Sequence, residues 1–162
     1  PKAIDILINE CNPNLSHKVW ECACGEGHLS KRLKEYGYEV YSSDKINRGY
    51  GEVVDFLSYN NSWEGDIITN PPFKFATQFI YKAMEVLQDK HKAFFFLKIL
   101  FLESKERRQL FEKYPPKHVY IMSSRVNCAK GGLFTKSKSA MAYAWYEFEK
   151  GYTGESTIKW VN

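Results

Sequence analysis

The fold is decided by one stretch near the start of the chain, which reads Val19-Trp20-Glu21-Cys22-Ala23-Cys24-Gly25-Glu26-Gly27-His28-Leu29. Its apolar first part, 19–23, predicts a short strand, and the spacing of apolar residues over 29–36 predicts a helix. Gly25 and Gly27 allow a tight turn and a close approach of a ligand to the backbone. The stretch therefore predicts a strand, a glycine turn and a helix, as in α/β proteins with parallel sheets.

Strands and helices continue to alternate along the rest of the chain. The further predicted strands are 38–42, 52–54, 66–69, 93–97, 118–123 and 142–148, and the further predicted helices are 3–8, 75–87 and 104–113. The last two strands have no helix between them, so we expect them to pair antiparallel. The pattern predicts one doubly wound, Rossmann-like α/β domain over residues 1–162, with a seven-stranded mixed sheet, an antiparallel C-terminal strand and no separate target-recognition domain.

Composition excludes several classes of protein. A chain of 162 residues with 44% hydrophobic residues is long enough to bury a core of its own. No apolar run approaches the roughly 20 residues of a membrane helix, and the opening residues, charged at Lys2 and Asp5, do not resemble a signal peptide. The four cysteines form no Cys-x-x-Cys pair, which favours reduced thiols over a zinc site. We expect a cytoplasmic protein without a metal or a membrane segment.

The glycine turn and the next strand predict the kind of ligand. Asp44, nineteen residues after Gly25, ends the second strand, where its carboxylate could accept hydrogen bonds from ribose hydroxyls. The third glycine of a dinucleotide site is replaced by Ser30, and no P-loop lysine is present. A ligand with a ribose but no pyrophosphate is favoured, and S-adenosylmethionine is such a ligand. After the third strand, Asp55 could accept from an adenine amino group while Phe56 packs on the ring.

A second motif, Asn70-Pro71-Pro72-Phe73, follows the fourth predicted strand. The exocyclic amine of a base is a weak nucleophile because its lone pair is delocalised into the ring. The side-chain oxygen of Asn70 and the carbonyl of Pro71 could accept hydrogen bonds from both amine N–H groups and so favour a pyramidal nitrogen. The prolines stiffen this turn in advance, and Phe73 offers a face on which a planar base can stack.

The segment from Lys113 to Tyr146 contains no aspartate or glutamate but several basic residues. From charge alone, this segment is either an ordinary solvated surface or a surface that faces an anion.

At these two motifs the chain resembles class I S-adenosylmethionine-dependent methyltransferases, and more narrowly the amino-methyltransferases that modify adenine-N6 in DNA. The C-terminal run Ala142-Tyr143-Ala144-Trp145-Tyr146-Glu147-Phe148-Glu149-Lys150-Gly151-Tyr152, with Ile158-Lys159-Trp160, is similar to phage-type members. The resemblance implies S-adenosylmethionine as cofactor, an opening helix that closes over its methionine part, and catalysis by Asn70, Pro71, Pro72 and Phe73. The implied cofactor-binding residues are Glu21, Ala23, Cys24, Gly25, Gly27, Asp44, Asp55 and Phe56.

The resemblance also assigns a role to the loop 125–139 before the last predicted strand. In this group the loop helps to hold the target base, so Phe134 is a candidate second stacking residue and the basic residues would contact phosphates. The implied substrate-binding residues are Arg125, Lys130, Phe134, Lys136 and Lys138. An adenine in duplex DNA would have to be flipped out to reach Asn70, and sequence specificity could come from this loop or from a partner.

Several alternatives remain open at the level of sequence. The same tetrad occurs in methyltransferases that modify guanine-N2 in ribosomal RNA, the acceptor could be RNA adenine, and a close variant acts on protein glutamine. A nucleotide-binding scaffold without catalysis could use the same sheet. A serine hydrolase is not indicated, because no Gly-x-Ser-x-Gly elbow exists.

Overall fold

The computed structural model of the protein describes residues 2–124 and 141–162. Its helices are α1 (Lys2–Glu10), α2 (His28–Glu35), α3 (Ala76–Val86) and α4 (Lys105–Lys113). Its strands are β1 (Lys18–Glu21), β2 (Glu39–Asp44), β3 (Glu52–Val53), β4 (Asp66–Thr69), β5 (Lys92–Lys98), β6 (His118–Met122), β7 (Tyr143–Glu149) and β8 (Thr157–Val161). Short 3-10 turns follow β3, β4 and β5, at Phe56–Ser58, Phe73–Phe75 and Ile99–Leu102.

The strands form a single sheet in the order β3-β2-β1-β4-β5-β7-β6-β8. All pairs are parallel except those of β7, which runs antiparallel to both β5 and β6. The predicted doubly wound fold and the antiparallel pairing of the last two predicted strands are confirmed. Over the described residues the sheet has eight strands, one more than the seven predicted, because β8 adds a parallel edge strand beside β6.

Side chains of alternate residues along the central strands enter two separate apolar layers. One layer, with Trp20, Phe95 and Tyr146 from the sheet, is covered by α3 and α4. The other, with Phe94 and Trp145, is covered by α1 and α2. The central strands are therefore buried on both faces, which explains their nearly continuous apolar sequences.

The first helix is fixed to the second helix and to the sheet by polar contacts. The indole Nε1 of Trp145 on β7 donates to the carbonyl of Ala3 at 2.8 Å. The carboxylate of Asp5 accepts from Arg32 Nε and from the Tyr36 hydroxyl, both at 2.7 Å. These bonds place α1 across the same face of the sheet as α2.

The strand order reverses between β1 and β4. The connection from β1 leads to β2 on one side, whereas β4 lies on the other side of β1. In open parallel sheets, ligands bind beyond the carboxyl ends of the strands at this point. Both sequence motifs lie there, one after β1 and the other after β4. No helix in the part of the chain that the structure describes is long and apolar enough to cross a membrane.

Candidate active site

The glycine turn after β1 is held in place by backbone bonds and by the predicted ribose-binding acid. Gly25 and Gly27 have φ angles of 54° and 90°, which lie in the left-handed region that favours glycine. Cys24 N donates to Ser43 O at 2.9 Å, and Gly25 N donates to Asp44 Oδ2 at 2.9 Å. Because a carboxylate has about four acceptor positions, Asp44 keeps capacity to accept hydrogen bonds from a ligand.

Tyr50 covers this turn, and sequence reasoning missed it. A Cβ atom added at Gly27 would lie 2.6 Å from the Tyr50 ring, so the ring rests directly on the glycine backbone. Lys34 donates to the Tyr50 hydroxyl at 3.1 Å, and the Lys31 ammonium lies 5.2 Å from the ring centroid. The only available signal was an aromatic residue between two glycines shortly after Asp44. Gly27 is therefore required both by its φ angle and by the closeness of this ring.

Glu21 joins the two motifs. Its side chain is 1% exposed, and its Oε1 accepts from Ala23 N in the glycine turn at 3.0 Å. The same oxygen accepts from the hydroxyl of Thr69, the last residue of β4. Burial raises the pKa of Glu21 from its ordinary value of 4.5 to about 8, while the hydrogen bonds from Thr69 and Ala23 oppose that rise. Because Asn70 follows Thr69, this carboxyl group fixes the tetrad beside the glycine turn.

The tetrad leaves both expected acceptors available. Asn70 is exposed and Pro71 is buried, and the turn is closed by a bond of 2.9 Å from Phe75 N to Pro72 O. Among the residues that the structure describes, neither the Asn70 side chain nor the Pro71 carbonyl has a hydrogen-bond partner. Two oxygens at a rigid corner are thus free to accept from a donor outside the chain.

The Phe73 side chain is partly exposed to solvent and also contacts neighbouring side chains. Its side chain is 46% exposed. Phe101 meets it edge to face, with ring centroids 6.4 Å apart, and the ammonium of Lys98 lies 4.8 Å from the ring centroid. Lys98 is the last residue of β5, the strand next to β4. The arrangement suits stacking of a planar group on Phe73 with a cation nearby.

Further apolar side chains are exposed in the segments after β4 and β5 and before β7. Phe75 is 42%, Leu100 64% and Met141 42% exposed. Ile99 and Ala142, next to Leu100 and Met141 in the chain, share a backbone hydrogen bond of 3.0 Å. Apolar surface concentrated beside polar acceptors is a feature of binding sites.

Two side chains shape the loop after β5, and neither was predicted. The hydroxyl of Tyr146 on β7 donates to the carbonyl of Lys98 at 2.8 Å. The Arg107 guanidinium on α4 donates to the carbonyls of Phe101 at 2.6 Å and Glu103 at 2.8 Å. Only the fold brings these distant residues to one loop.

The remaining predicted site residues lie as follows. Asp55 is half-buried and accepts from Leu57 N at 3.1 Å, which caps the short turn after β3. Phe56 is 1% exposed and contacts Trp20 and Phe79 in the core, so Asp55 is the member of this pair that solvent reaches. Ala23 and Cys24 form part of the glycine turn. The predicted substrate-binding residues Arg125, Lys130, Phe134, Lys136 and Lys138 lie outside the described residues.

Metal and disulfide chemistry find no support in the described residues. Within 2–124 and 141–162, no group of three or more histidine, cysteine, aspartate or glutamate side chains could hold a metal ion. Cys11, Cys22 and Cys24 are free and buried. Burial raises the pKa of the Cys24 thiol to about 11, so this thiol in the glycine turn is protonated at neutral pH.

Comparison with known proteins identifies the fold. No family model and no curated protein matches the sequence. Among solved structures, the 1,6-didemethyltoxoflavin-N1-methyltransferase of Burkholderia thailandensis, with bound S-adenosylhomocysteine, is 12% identical, with 92% of this chain and 76% of that chain covered and a TM-score of 0.60. An S-adenosylmethionine-dependent O-methyltransferase of Thermotoga maritima is 13% identical over 96% and 67% of the two chains, with a TM-score of 0.61.

A third structure, the magnesium protoporphyrin IX methyltransferase of Synechocystis with bound S-adenosylmethionine, is 14% identical over 93% and 77% of the two chains, with a TM-score of 0.57. The fold of the present chain is that of the class I S-adenosylmethionine-dependent methyltransferases. These neighbours methylate different acceptors according to their names, so the acceptor has to be argued from the site.

Proposed function

We propose that the chain is an S-adenosylmethionine-dependent methyltransferase that acts on a planar exocyclic amine, and that this amine is adenine-N6 in DNA. One observation supports the proposal most strongly: the Asn70 and Pro71 oxygens are unpartnered at a rigid corner that Glu21 ties to the glycine turn. The fold alone is shared by enzymes with many acceptors. The amine acceptor is inferred from the tetrad.

The glycine turn and its neighbours fit the cofactor. Asp44 at the end of β2 has acceptor capacity for ribose hydroxyls, and Asp55 is placed after β3 where solvent reaches it. S-adenosylmethionine, when bound, supplies a methyl group activated by a sulfonium. In this proposal Glu21, Ala23, Cys24, Gly25 and Gly27 would line the cofactor site, and Phe56, whose ring is buried, would support it from the core.

Asn70 and Pro71 then prepare the amine. Their two oxygens accept hydrogen bonds from its two N–H groups, which holds the nitrogen lone pair out of the ring plane and in a fixed direction. When the cofactor is bound, the N–CH₃ bond would form as the S–CH₃ bond breaks, and the methylated nitrogen would release one proton to solvent. Pro71 is buried and Pro72 is restricted in φ, so these acceptors need little reorganisation during the reaction. Stacking of the ring on the exposed part of Phe73 fixes the plane of the acceptor, a contact worth about 1–3 kcal/mol per base.

Basic residues support a nucleic-acid acceptor. Lys98 places a cation beside the Phe73 ring, and the loop 125–139 contains basic residues and no aspartate or glutamate. We propose that Arg125, Lys130, Lys136 and Lys138 contact phosphates and that Phe134 stacks on the extruded base. A duplex target then requires base flipping, which costs a few kcal/mol of stacking and pairing.

The decisive experiment is transfer of labelled methyl groups to DNA, ribosomal RNA and protein in parallel, followed by nucleoside and amino-acid analysis of the product. N6-methyladenine from DNA is the expected product. N2-methylguanine or N6-methyladenine from RNA, or methylglutamine from protein, would replace the proposed acceptor while keeping the chemistry. Absence of any transfer by protein that binds the cofactor would favour a scaffold instead.

Asn70→Ala tests the role of the tetrad. It should abolish transfer, because one of two amine acceptors is lost, while cofactor affinity changes less than about threefold. Asn70→Asp is the matched control, since aspartate keeps an acceptor oxygen in the same position. Turnover of Asn70→Ala equal to that of the unchanged protein would disprove the proposed role.

The basic loop has a separate test. Changing Lys130, Lys136 and Lys138 together to alanine should weaken nucleic-acid binding and reduce the dependence of affinity on salt, because fewer counterions are released. Lys2, Lys105 and Lys113, changed together, serve as a control with the same loss of charge. If both triple variants show the same salt dependence, the loop does not contact phosphates.

A further inference from the structure

The 3-10 turn Phe73–Phe75 exposes two aromatic side chains to solvent. Phe73 is 46% exposed and Phe75 is 42% exposed. Phe73 meets the ring of Phe101, whereas Phe75 pairs with no other aromatic ring in the described part of the chain. Exposed apolar surface concentrated in one short segment is a feature of interaction sites. The proposed function gives a role to Phe73 but none to Phe75.

The backbone of this turn is fixed at both ends. Phe75 N donates to Pro72 O at 2.9 Å, and Ala76 N donates to Phe73 O. Ala76 is fully buried as the first residue of α3, which anchors the end of the turn in the core. A 3-10 turn has about three residues per turn, so side chains two positions apart point about 120° away from each other. The two phenylalanine rings therefore present separate surfaces from one rigid backbone.

An ammonium group lies over each of the two rings. The Lys98 ammonium is 4.8 Å from the centroid of the Phe73 ring, and the Lys74 ammonium is 5.7 Å from the centroid of the Phe75 ring. Among the residues that the structure describes, neither ammonium has a hydrogen bond or an ion pair. The surface thus repeats one arrangement twice, an exposed ring with an unpaired cation beside it.

This arrangement matches the chemistry of an unpaired nucleic-acid strand. Each nucleotide offers a base that can stack on a ring and a phosphate that can accept from an ammonium, and single-strand binding sites combine these two contacts. In a duplex only the target base leaves the stack, and its neighbours stay paired and stacked. A strand without its complement can splay two successive bases apart, so it alone can give a base to both rings.

We propose that the Phe73–Phe75 turn is a two-base platform for an unpaired DNA strand. The target adenine stacks on Phe73, a neighbouring base stacks on Phe75, and Lys98 and Lys74 contact the adjoining phosphates. This inference rests on the proposed function, because it takes the adenine beside Asn70 as the methyl acceptor. It narrows the substrate to single-stranded DNA or to an unpaired segment of DNA, in which the target needs no base flipping.

The test compares methyl transfer by the intact chain to one oligodeoxynucleotide, as a single strand and as a duplex with its complement. The expected kcat/KM is at least about tenfold higher for the single strand, because the duplex must first lose stacking and pairing at the target. A duplex that is methylated as efficiently as the single strand would overturn this inference and keep the proposed function. No transfer to adenine in either form would overturn the proposed function and this inference with it.

Variants of Phe75 and strands that lack one base test the second stacking position. Phe75→Leu keeps an apolar side chain without a ring and should lower kcat/KM on the single strand about 5- to 150-fold, as for the loss of one stacked base. Phe75→Tyr keeps the ring and is the matched control. Removing the base on one side of the target, 5′ or 3′, should abolish the difference between Phe75→Leu and the unchanged protein.

Two results would overturn the role of Phe75. One is unchanged activity of Phe75→Leu on the intact single strand. The other is a loss of activity in Phe75→Leu that has the same size on the intact strand and on both strands that lack a neighbouring base, because such a loss does not depend on stacking. Urea unfolding of both Phe75 variants verifies that the exposed side chain can be replaced without loss of the fold.

Lysine variants test the phosphate contacts. Lys74→Gln and Lys98→Gln should each reduce the slope of log kcat/KM against log salt concentration by about 0.7 on the single strand. Lys113→Gln is the matched control, since the Lys113 ammonium also lies over a ring, 5.4 Å from the centroid of Tyr114, but at the end of α4. Equal slopes for the three variants and the unchanged protein would overturn the proposed contacts of Lys74 and Lys98 with phosphates.

Discussion

Replacing Glu21 by glutamine should stabilise the fold near neutral pH and should change its stability little in mild acid. The Glu21 carboxyl is 1% exposed, and burial raises its pKa from 4.5 to about 8. Between these values the folded protein keeps a proton that the unfolded chain has lost. Stability from this group is therefore fully present below the unfolded pKa and is lost as the pH rises through the folded pKa.

The magnitude follows from the pKa difference. Each unit is worth about 1.4 kcal/mol, so moving from about pH 5 to about pH 7 should reduce the free energy of unfolding by about 2–3 kcal/mol through Glu21 alone. Glutamine does not titrate, yet its carbonyl oxygen can still accept from Ala23 N and from the Thr69 hydroxyl. The difference in free energy of unfolding between Glu21→Gln and the unchanged protein should therefore increase by about 2–3 kcal/mol from about pH 5 to about pH 7.

Urea unfolding at a series of pH values measures this difference directly. Other titrating groups act equally in both proteins, so subtraction removes them. Thr69→Val provides a check on the contact itself, because it deletes the hydroxyl at similar volume, whereas Thr69→Ser retains it. A difference between Glu21→Gln and the unchanged protein that is constant with pH would refute the proposed protonation of Glu21.

Three further predictions test the site and the packing of α1. Binding of the cationic cofactor should favour the ionised form of Glu21 and so release a proton near neutral pH. Calorimetry in buffers of different ionisation enthalpy measures this proton release. The variant Glu21→Gln should release no proton. Gly27→Ala should reduce the free energy of unfolding more than Gly37→Ala, because both glycines have a positive φ, 90° and 95°, but only Gly27 lies against Tyr50. Adding Tyr50→Ala to Gly27→Ala should recover the difference. Equal losses of stability for the two glycine variants would contradict this prediction. Trp145→Phe removes the hydrogen bond to the Ala3 carbonyl of α1 and should reduce the free energy of unfolding by about 1–3 kcal/mol in urea. Amide hydrogen exchange in α1 should become faster. Unchanged exchange in α1 would show that apolar packing alone holds this helix.

The elements that sequence predicted well are those with a clear apolar pattern. The run 93–97 is apolar throughout and became the centre of β5, and the apolar face predicted over 75–87 became the buried side of α3. In contrast, β8 was missed because it is an edge strand whose residues are mostly exposed, so burial imposes no alternation on its sequence. Its partner β6 lies far away in sequence and gives no local signal.

In the site, too, features that depend on adjacent residues could be predicted, whereas contacts between distant residues could not. The glycine turn and the tetrad could be located because each depends on a few adjacent residues with special backbone requirements. The bond between Glu21 and Thr69 depends on strand register, and the contact of Tyr50 with Gly27 depends on the path of a loop. Phe56 illustrates a further limit, since an aromatic residue after a strand suits a ligand or a core equally and only its burial places it.

The order of the strands constrains how the chain is assembled during synthesis. β7 separates β5 from β6, although β6 is made first. While the ribosome is still producing the segment before β7, β6 has no neighbouring strand that joins it to the growing parallel sheet, and Trp145 is not yet available to hold α1. The apolar strand β5 therefore stays unpaired on one side until β7 (Tyr143–Glu149) has been synthesised. During that interval aggregation competes with completion of the sheet.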